Sequence, residues 1–194
     1  IYLIGNGRSL SFEINETEVL QASELKKMLD ELQEKITGKA AVIYDAACSG
    51  SFVPYLMPNG DEERIVITSS AAKQPAYFLS DGDISFSRFF WGRISDGMNI
   101  RDAFLYARNA ITFTCLNQTP QMDDNGNGIS NEKADGQICK NYHLGMGIML
   151  AGDQPLIGSI SPEQELSGKS STILWVDRVT STKPVKKVWA VITF

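Results

Sequence analysis

Three short runs along the chain are apolar without alternation: "IYLI" at positions 1–4, "AAVIYDA" at 40–46 and "RIVITSS" at 64–70. Runs of this length, rich in β-branched residues, predict buried strands of a parallel sheet covered on both faces. Between the first two, "ASELKKMLDELQEKITGK" places Leu25, Met28, Leu29, Leu32 and Ile36 on one helical face, with Ser23 as its cap and Gly38 as its end. Strand, helix, strand is the βαβ unit of an α/β sheet. "ISFSRFFWGRISDG" and "NIRDAFLYARNAI" predict two further helices. Gly97 stops the first; Asn99 caps the second, with Asp102 in its first turn, and their Phe and Trp side chains pack on the sheet.

Positions 117–141 are polar, acidic and glycine-rich, and read as a long loop. From Ser171 the pattern changes to two strand-like runs, "STILWVDRV" and "VKKVWAVITF", around the turn "STKP". The predicted organisation is an α/β domain over 1–165, followed over 166–194 by the start of a small β-domain or a flanking hairpin. The uncapped apolar opening "IYLIG" predicts that a preceding segment or an adjacent domain completes the sheet.

Composition narrows the function classes. The chain has 194 residues, 43% hydrophobic and 21% charged, enough to bury a sizeable core. A net charge of -5, with Lys and Arg scattered, supplies no footprint for nucleic acid. No apolar stretch is long enough to span a bilayer. Cys48, Cys115 and Cys139 are too widely spaced for a structural zinc site or a disulfide framework, and one bridge, Cys115 to Cys139, stays open. The compartment is not legible from cysteine usage.

In an open parallel sheet, reactive groups gather outside the carboxyl ends of the strands. Those ends carry "GNG" (5–7), "DAACSGS" (45–51) and "TSS" (68–70). With "PAYFLSDGDISFSRFFW" and "QTPQMDDNGNG", these segments resemble the caspase and legumain group of cysteine peptidases, particularly the bacterial relatives of legumain. The resemblance runs from Ile1 to about Ile160. It implies a three-layer caspase-hemoglobinase-like sandwich with a mainly parallel sheet plus C-terminal β-strands, and a site with a His general base, a Cys nucleophile and two backbone N–H groups that hold an oxyanion.

Carried over residue by residue, the family's Asp-Ala-Cys-x-Ser-Gly-Ser-Phe pattern lies on this chain without a gap up to Phe52. Ala47 stands at the Cys position, Cys48 at the variable one, and Asn6 at the His position before Gly7. Neither alanine nor asparagine can supply half of a Cys-His dyad. The backbone donors at Gly7 and position 47 remain. The resemblance also assigns Asp45, Cys48, Ser69, Ser70, Lys73 and Gln74 to the pocket for the substrate side chain. Lys73 and Gln74 replace acidic residues there, which weakens attraction for Arg or Lys.

The reading that follows is a non-catalytic pseudopeptidase, or a module that binds a peptide or protein and requires no cofactor. The alternative is a cysteine endopeptidase, either silenced by substitution at positions 6 and 47 or using Cys48 as a displaced nucleophile. The only histidine, His143, matches no catalytic position and reads as structural.

"DDNGNGISNEKADG" has the opening of a calcium loop, with Asp123, Asn125 and Asn127 at alternate positions, then Gly128 and the Ile129 carbonyl. The twelfth position is Ala134, so Glu132 or Asp135 would close the site. Two charges suit a modest affinity and an extracytoplasmic or secreted setting. The competing reading is an Asn/Gly turn held by its own side chains.

Overall fold

The computed structural model describes residues 1–144 except 37, 61 and 116, together with 159–161, 173 and 175–177. The chain divides into two compact units, Ile1–Gly145 and Met146–Phe194. In the second, Ser159–Ile160 pair antiparallel with Val176–Asp177. The expected boundary at 165 and the run 185–194 lie outside the described residues.

The first unit is built on a sheet of four strands: β1 (Tyr2–Ile4), β5 (Ala40–Asp45), β6 (Arg64–Thr68) and β7 (Gln121–Asp123), in the order β1-β5-β6-β7. β1, β5 and β6 are parallel, as their unbroken apolar runs predict, and β7 is antiparallel to β6. Side chains alternate between two cores. Ile43, Ile65 and Ile67 face Phe86, Phe90 and Phe104 of helices α2 (Phe86–Ser95) and α3 (Ile100–Thr114). Val42, Tyr44 and Val66 face Leu25 and Leu29 of α1 (Ala22–Gln33), together with Phe52 and Val53 of a 3-10 turn over Ser49–Tyr55. Each fully buried Ile or Phe contributes roughly 1.5–3 kcal/mol, so both helical layers hold the sheet flat between them. The result is a mixed α/β sandwich with a mainly parallel sheet. Many α/β proteins share these features, which are compatible with a caspase-like arrangement and not specific to it.

Asn99 caps α3 as expected, accepting from Asp102 N–H, and Gly97 follows α2 with φ 84°; the cap of α2 is Ser85, which accepts from Arg88 N–H. Helix α1 differs. Gln21 and Glu24 form a reciprocal capping box, so the cap is Gln21 rather than Ser23. The helix ends at Gln33, before Gly38, and Met28, Leu32 and Ile36 are exposed, because the sheet reaches only the Leu25–Leu29 side. β1 is not buried on both sides either: it is the edge strand, and Ile1, Tyr2 and Ile4 are exposed.

Between β1 and α1, where the hydrophobic pattern predicted no element, lie three short strands, β2 (Gly7–Arg8), β3 (Ser11–Glu13) and β4 (Val19–Gln21), joined as a small antiparallel sheet. Strands of two or three residues leave too little alternation to read. β7 likewise interrupts the predicted loop 117–141. All three cysteines are free, so the Cys115–Cys139 bridge is absent; Cys139 Sγ lies 3.4 Å from Met122 Sδ instead. Among the described residues no helix is long and apolar enough to cross a membrane.

Candidate functional site

Because β1, β5 and β6 are parallel, their carboxyl ends fall on one rim, and the turns 5–7, 45–51 and 68–70 meet there. The contact between the first two is close. A side chain at Gly7 would place its first carbon 2.5 Å from the Ala47 carbonyl oxygen, 2.6 Å from the Tyr44 hydroxyl and 2.9 Å from Ala46 Cβ. Only glycine fits this crossing. Asn6, one residue earlier, is exposed, and Ala47 and Cys48 are half-buried. The Asn6 carbonyl accepts from Glu13 N–H at 3.0 Å, which hangs the turn on the small sheet.

The turn after β5 is set by Cys48, whose φ of 59° and ψ of 14° are left-handed. A non-glycine residue there costs about 1 kcal/mol or more, and the surroundings hold it. Cys48 N–H donates to Gln74 O at 2.8 Å, and Cys48 O accepts from Ser51 N–H at 3.0 Å and Ser51 Oγ at 2.7 Å. Ser70 Oγ donates to Ala46 O at 2.9 Å, and Gly50 N–H donates to Ser70 O at 2.9 Å. The "SGS" and "TSS" segments therefore lock the β5 turn onto the end of β6.

Below the turn, Asp45 is fully buried. Its Oδ2 accepts from Ser87 N–H at 2.9 Å and from Ser87 Oγ at 2.5 Å, tying β5 to the first turn of α2. Burial pushes the Asp45 carboxyl up, against the opposing pull of the Ser69 and Ser87 hydroxyls. Asp45 Oδ1 and Ser69 Oγ are both buried without a partner at hydrogen-bonding geometry. Burial likewise pushes the Tyr44 phenol up. Ser69 and Ser70 are fully buried beneath the rim, and Lys73 is exposed on the loop beyond it.

Gln74 is part of the scaffold. Its Oε1 accepts from Thr119 N–H at 2.8 Å and Ala71 N–H at 3.3 Å. Gln118, which the sequence reading missed, is 2% exposed; it accepts from Tyr77 N–H at 3.0 Å and donates to Ser69 O at 3.0 Å. A polar residue inside a polar stretch carries no periodic signal, so only its burial marks it. His143 is exposed and lies away from the rim. Its neighbour Tyr142 reaches Glu63 at 3.4 Å and carries Lys39 over its ring at 4.1 Å, both residues that precede β5 or β6. The histidine is therefore at the opposite end of the sheet, roughly 20 Å away for a strand of six residues.

The loop after β7 forms a ladder of side-chain turns. Asp123 accepts from Gly126 N–H at 2.8 Å and Gly128 N–H at 2.7 Å; Asn125 accepts from Asn127 N–H at 3.0 Å, and Asn127 from Ile129 N–H at 2.8 Å. Asn127 Nδ2 donates to Glu132, and Asp135 accepts from Glu132 N–H at 2.7 Å. Burial, with the nearby charges of Asp123 and Asp124, pushes the Asp135 carboxyl up to about 6. Among the described residues, no three His, Cys, Asp or Glu side chains are grouped to hold a metal ion.

No known protein family matches the chain, and no curated protein matches it. Fold and rim together define a mixed α/β sandwich whose strand-end turns converge, with no ionisable side chain at position 6 or 47.

Proposed function

We propose that the first unit is a caspase/legumain-like domain without its catalytic dyad, a silent pseudopeptidase that binds a peptide or partner protein at the rim of β1, β5 and β6. The observation that carries this reading is the crossing of the Gly7 and Ala47 turns. It brings the turn that carries position 6 against the turn that carries position 47, and neither Asn6 nor Ala47 supplies a nucleophile or a base. The locked "SGS" turn supports the reading too, since it keeps a rim in shape that has no chemistry to perform.

Cys48 as nucleophile is the second reading. Against it stands the distance to the only histidine, which leaves the thiol without an imidazole base. The test compares peptide-reporter cleavage by the chain, by the double variant Asn6→His with Ala47→Cys, and by Cys48→Ser. In the double variant the new imidazole takes the new thiol's proton and returns it to the leaving amine. A sulfur–carbon bond replaces the amide bond until water releases the acid. Cleavage by the double variant alone identifies a silenced peptidase; cleavage by the unmodified chain that Cys48→Ser abolishes overturns the proposal. Binding of reporter without turnover is the outcome expected of the unmodified chain.

For the loop 123–135 we keep calcium as the ligand, at modest affinity suited to an extracytoplasmic setting. Asp124 Oδ1 and Asp135 Oδ1, buried there without a partner, support it, whereas the ladder through Asp123, Asn125 and Asn127 suits a turn held by its own side chains equally well. Calorimetric titration with calcium, beside Asp123→Asn, tests it. No heat at millimolar calcium leaves an Asn/Gly turn held by its own side chains.

A further inference from the structure

Asparagine is followed by glycine at four places: Asn6–Gly7, Asn59–Gly60, Asn125–Gly126 and Asn127–Gly128. Such a pair is chemically weak. With no Cβ on the second residue, its backbone nitrogen can reach the side-chain carbonyl carbon of the asparagine and close a five-membered imide. Two groups have to be free: the glycine N–H, which gives up its proton, and the asparagine amide, which turns onto the backbone.

The structure sorts the four pairs by those groups. In the acidic loop both glycine N–H groups are committed, Gly126 to Asp123 Oδ1 at 2.8 Å and Gly128 to Asp123 Oδ2 at 2.7 Å. The side chains are committed as well: Asn125 and Asn127 each accept a backbone N–H two residues on, and Asn127 donates to Glu132. Imide closure there would break charge-assisted bonds. Asn59 is held at both ends of its amide, Oδ1 accepting from Lys26 Nζ at 3.1 Å and Nδ2 donating to Asp30 at 2.9 Å.

Asn6 has neither restraint. It is exposed, and among the described residues its side chain makes no hydrogen bond. Its neighbour's N–H is free by virtue of strand register. Glu13 N–H donates to Asn6 O, so the alternation of an antiparallel pair leaves Gly7 opposite Phe12 at the non-bonded position, its N–H directed away from β3. No acceptor meets that N–H among the described residues. Gly5, at φ 151°, precedes Asn6, so the turn has glycine on both sides to absorb the change of backbone angle that the ring imposes.

We propose that Asn6 is a site of self-modification, at which the Asn6–Gly7 step cyclises and reopens as an acid. Gly7 N bonds to Asn6 Cγ, the Cγ–Nδ2 bond breaks, and Nδ2 leaves as ammonia with the proton that Gly7 gives up. Water then adds to one imide carbonyl and the carbon–nitrogen bond there breaks. Opening at Cγ gives aspartate; opening at the backbone carbonyl gives isoaspartate. Nothing is oxidised or reduced. The rim turn then carries a carboxylate at position 6, an ionisable group that the encoded sequence lacks there. This conversion does not depend on the proposed function.

The test is peptide mapping by mass spectrometry of the whole chain during incubation in mildly alkaline buffer, folded and in guanidinium chloride. In the denaturant all four pairs should convert at comparable rates, since only local sequence acts. In the folded chain Asn6 should convert first, with isoaspartate among its products, while Asn125 and Asn127 convert at least about tenfold more slowly than in denaturant. Asp123→Ala, whose fold is checked by circular dichroism, should speed Asn125 and Asn127 and leave the rate at Asn6 unchanged. An Asn6 that stays an amide in the folded chain while it converts in denaturant overturns the proposal, as does a folded chain in which any other pair converts first. Aspartate without isoaspartate at position 6 would mean that water attacked the amide directly, and the imide route would be wrong. Loop asparagines that stay as slow in Asp123→Ala would overturn the sorting by hydrogen bonds on which the assignment stands.

Discussion

Two polar turns of this molecule solve the same backbone problem with different chemistry. In the rim turn, Ala46 to Ser51 with Ser70, hydroxyls both donate and accept, although that of the neighbouring Ser69 has no partner. Ser49 and Ser70 bond each other's backbone and side chains, and Ser70 also serves Ala46 O. In the loop from Asp123 to Asp135, the carboxylates of Asp123, Asp124 and Asp135 only accept backbone N–H groups, and the amides of Asn127 and Asn131 are the side chains that donate. Acceptors are left over: Asp124 Oδ1 and Asp135 Oδ1 have no partner. Neutral two-way groups can close a network that packs dry. One-way charged groups accumulate repulsion, and a spare lone pair is what a cation or a proton would relieve.

The largest effects come from breaking the close approaches that the rim needs. A side chain on Gly50 would meet Ser70 O at 2.7 Å and Ala71 Cα at 2.9 Å, and one on Gly7 would meet Ala47 O at 2.5 Å. Backbone atoms cannot step aside as a side chain can. Gly50→Ala and Gly7→Ala should each cost about 3 kcal/mol in urea unfolding. Ser70→Ala comes next, at about 2 kcal/mol, because it removes from a buried place the hydroxyl that donates to Ala46 O and bonds Ser49. Asp123→Ala should cost a similar amount by freeing the Gly126 and Gly128 N–H groups. A rim that tolerates Gly50→Ala within experimental error would sink the account of a locked turn.

Below these in size is the prediction on the dyad positions. Asn6 is exposed and Ala47 half-buried. Asn6→His with Ala47→Cys should therefore change stability by no more than about 0.5 kcal/mol. The comparison is sharpened here: the rim's stability lies in its hydroxyls and glycines, and its chemistry could change without touching them. A double variant that unfolds would mean that the rim has repacked around the missing dyad.

How much of this was legible depended on run length and on what polar residues do. The strands at 40–45 and 64–68, the cap Asn99 and the stop Gly97 left direct signals in spacing and residue type. β2 to β4 and β7 did not, since two or three residues cannot show a period. The apolar face of α1 was visible, but not that Met28 and Leu32 lie beyond the sheet; that depends on which strand is the edge. At the rim, the convergence of the three strand-end turns was readable. That Gln74 and Gln118 brace the turn was not, because amides that bond distant backbone look like any loop polar group.

The smallest effect expected is in the acidic loop, and it depends on pH. Asp135 sits at about 6 in the folded chain against an ordinary 3.8. The folded state therefore holds this proton more tightly than the unfolded one. Below pH 4 both states are protonated and nothing is lost; between about pH 4 and 6 the unfolded chain ionises first and stability falls; above that the loss is complete. Asp45 and Asp123 are also raised by burial and act in the same direction. Asp135→Asn removes only its own share, so thermal midpoints at pH 4 and pH 7 should lie closer together in the variant than in the parent, with the rest of the difference remaining. An unchanged difference would mean that Asp135 is not held against Asp123 and Asp124, and the contrast between the hydroxyl turn and the carboxylate loop would lose its electrostatic half.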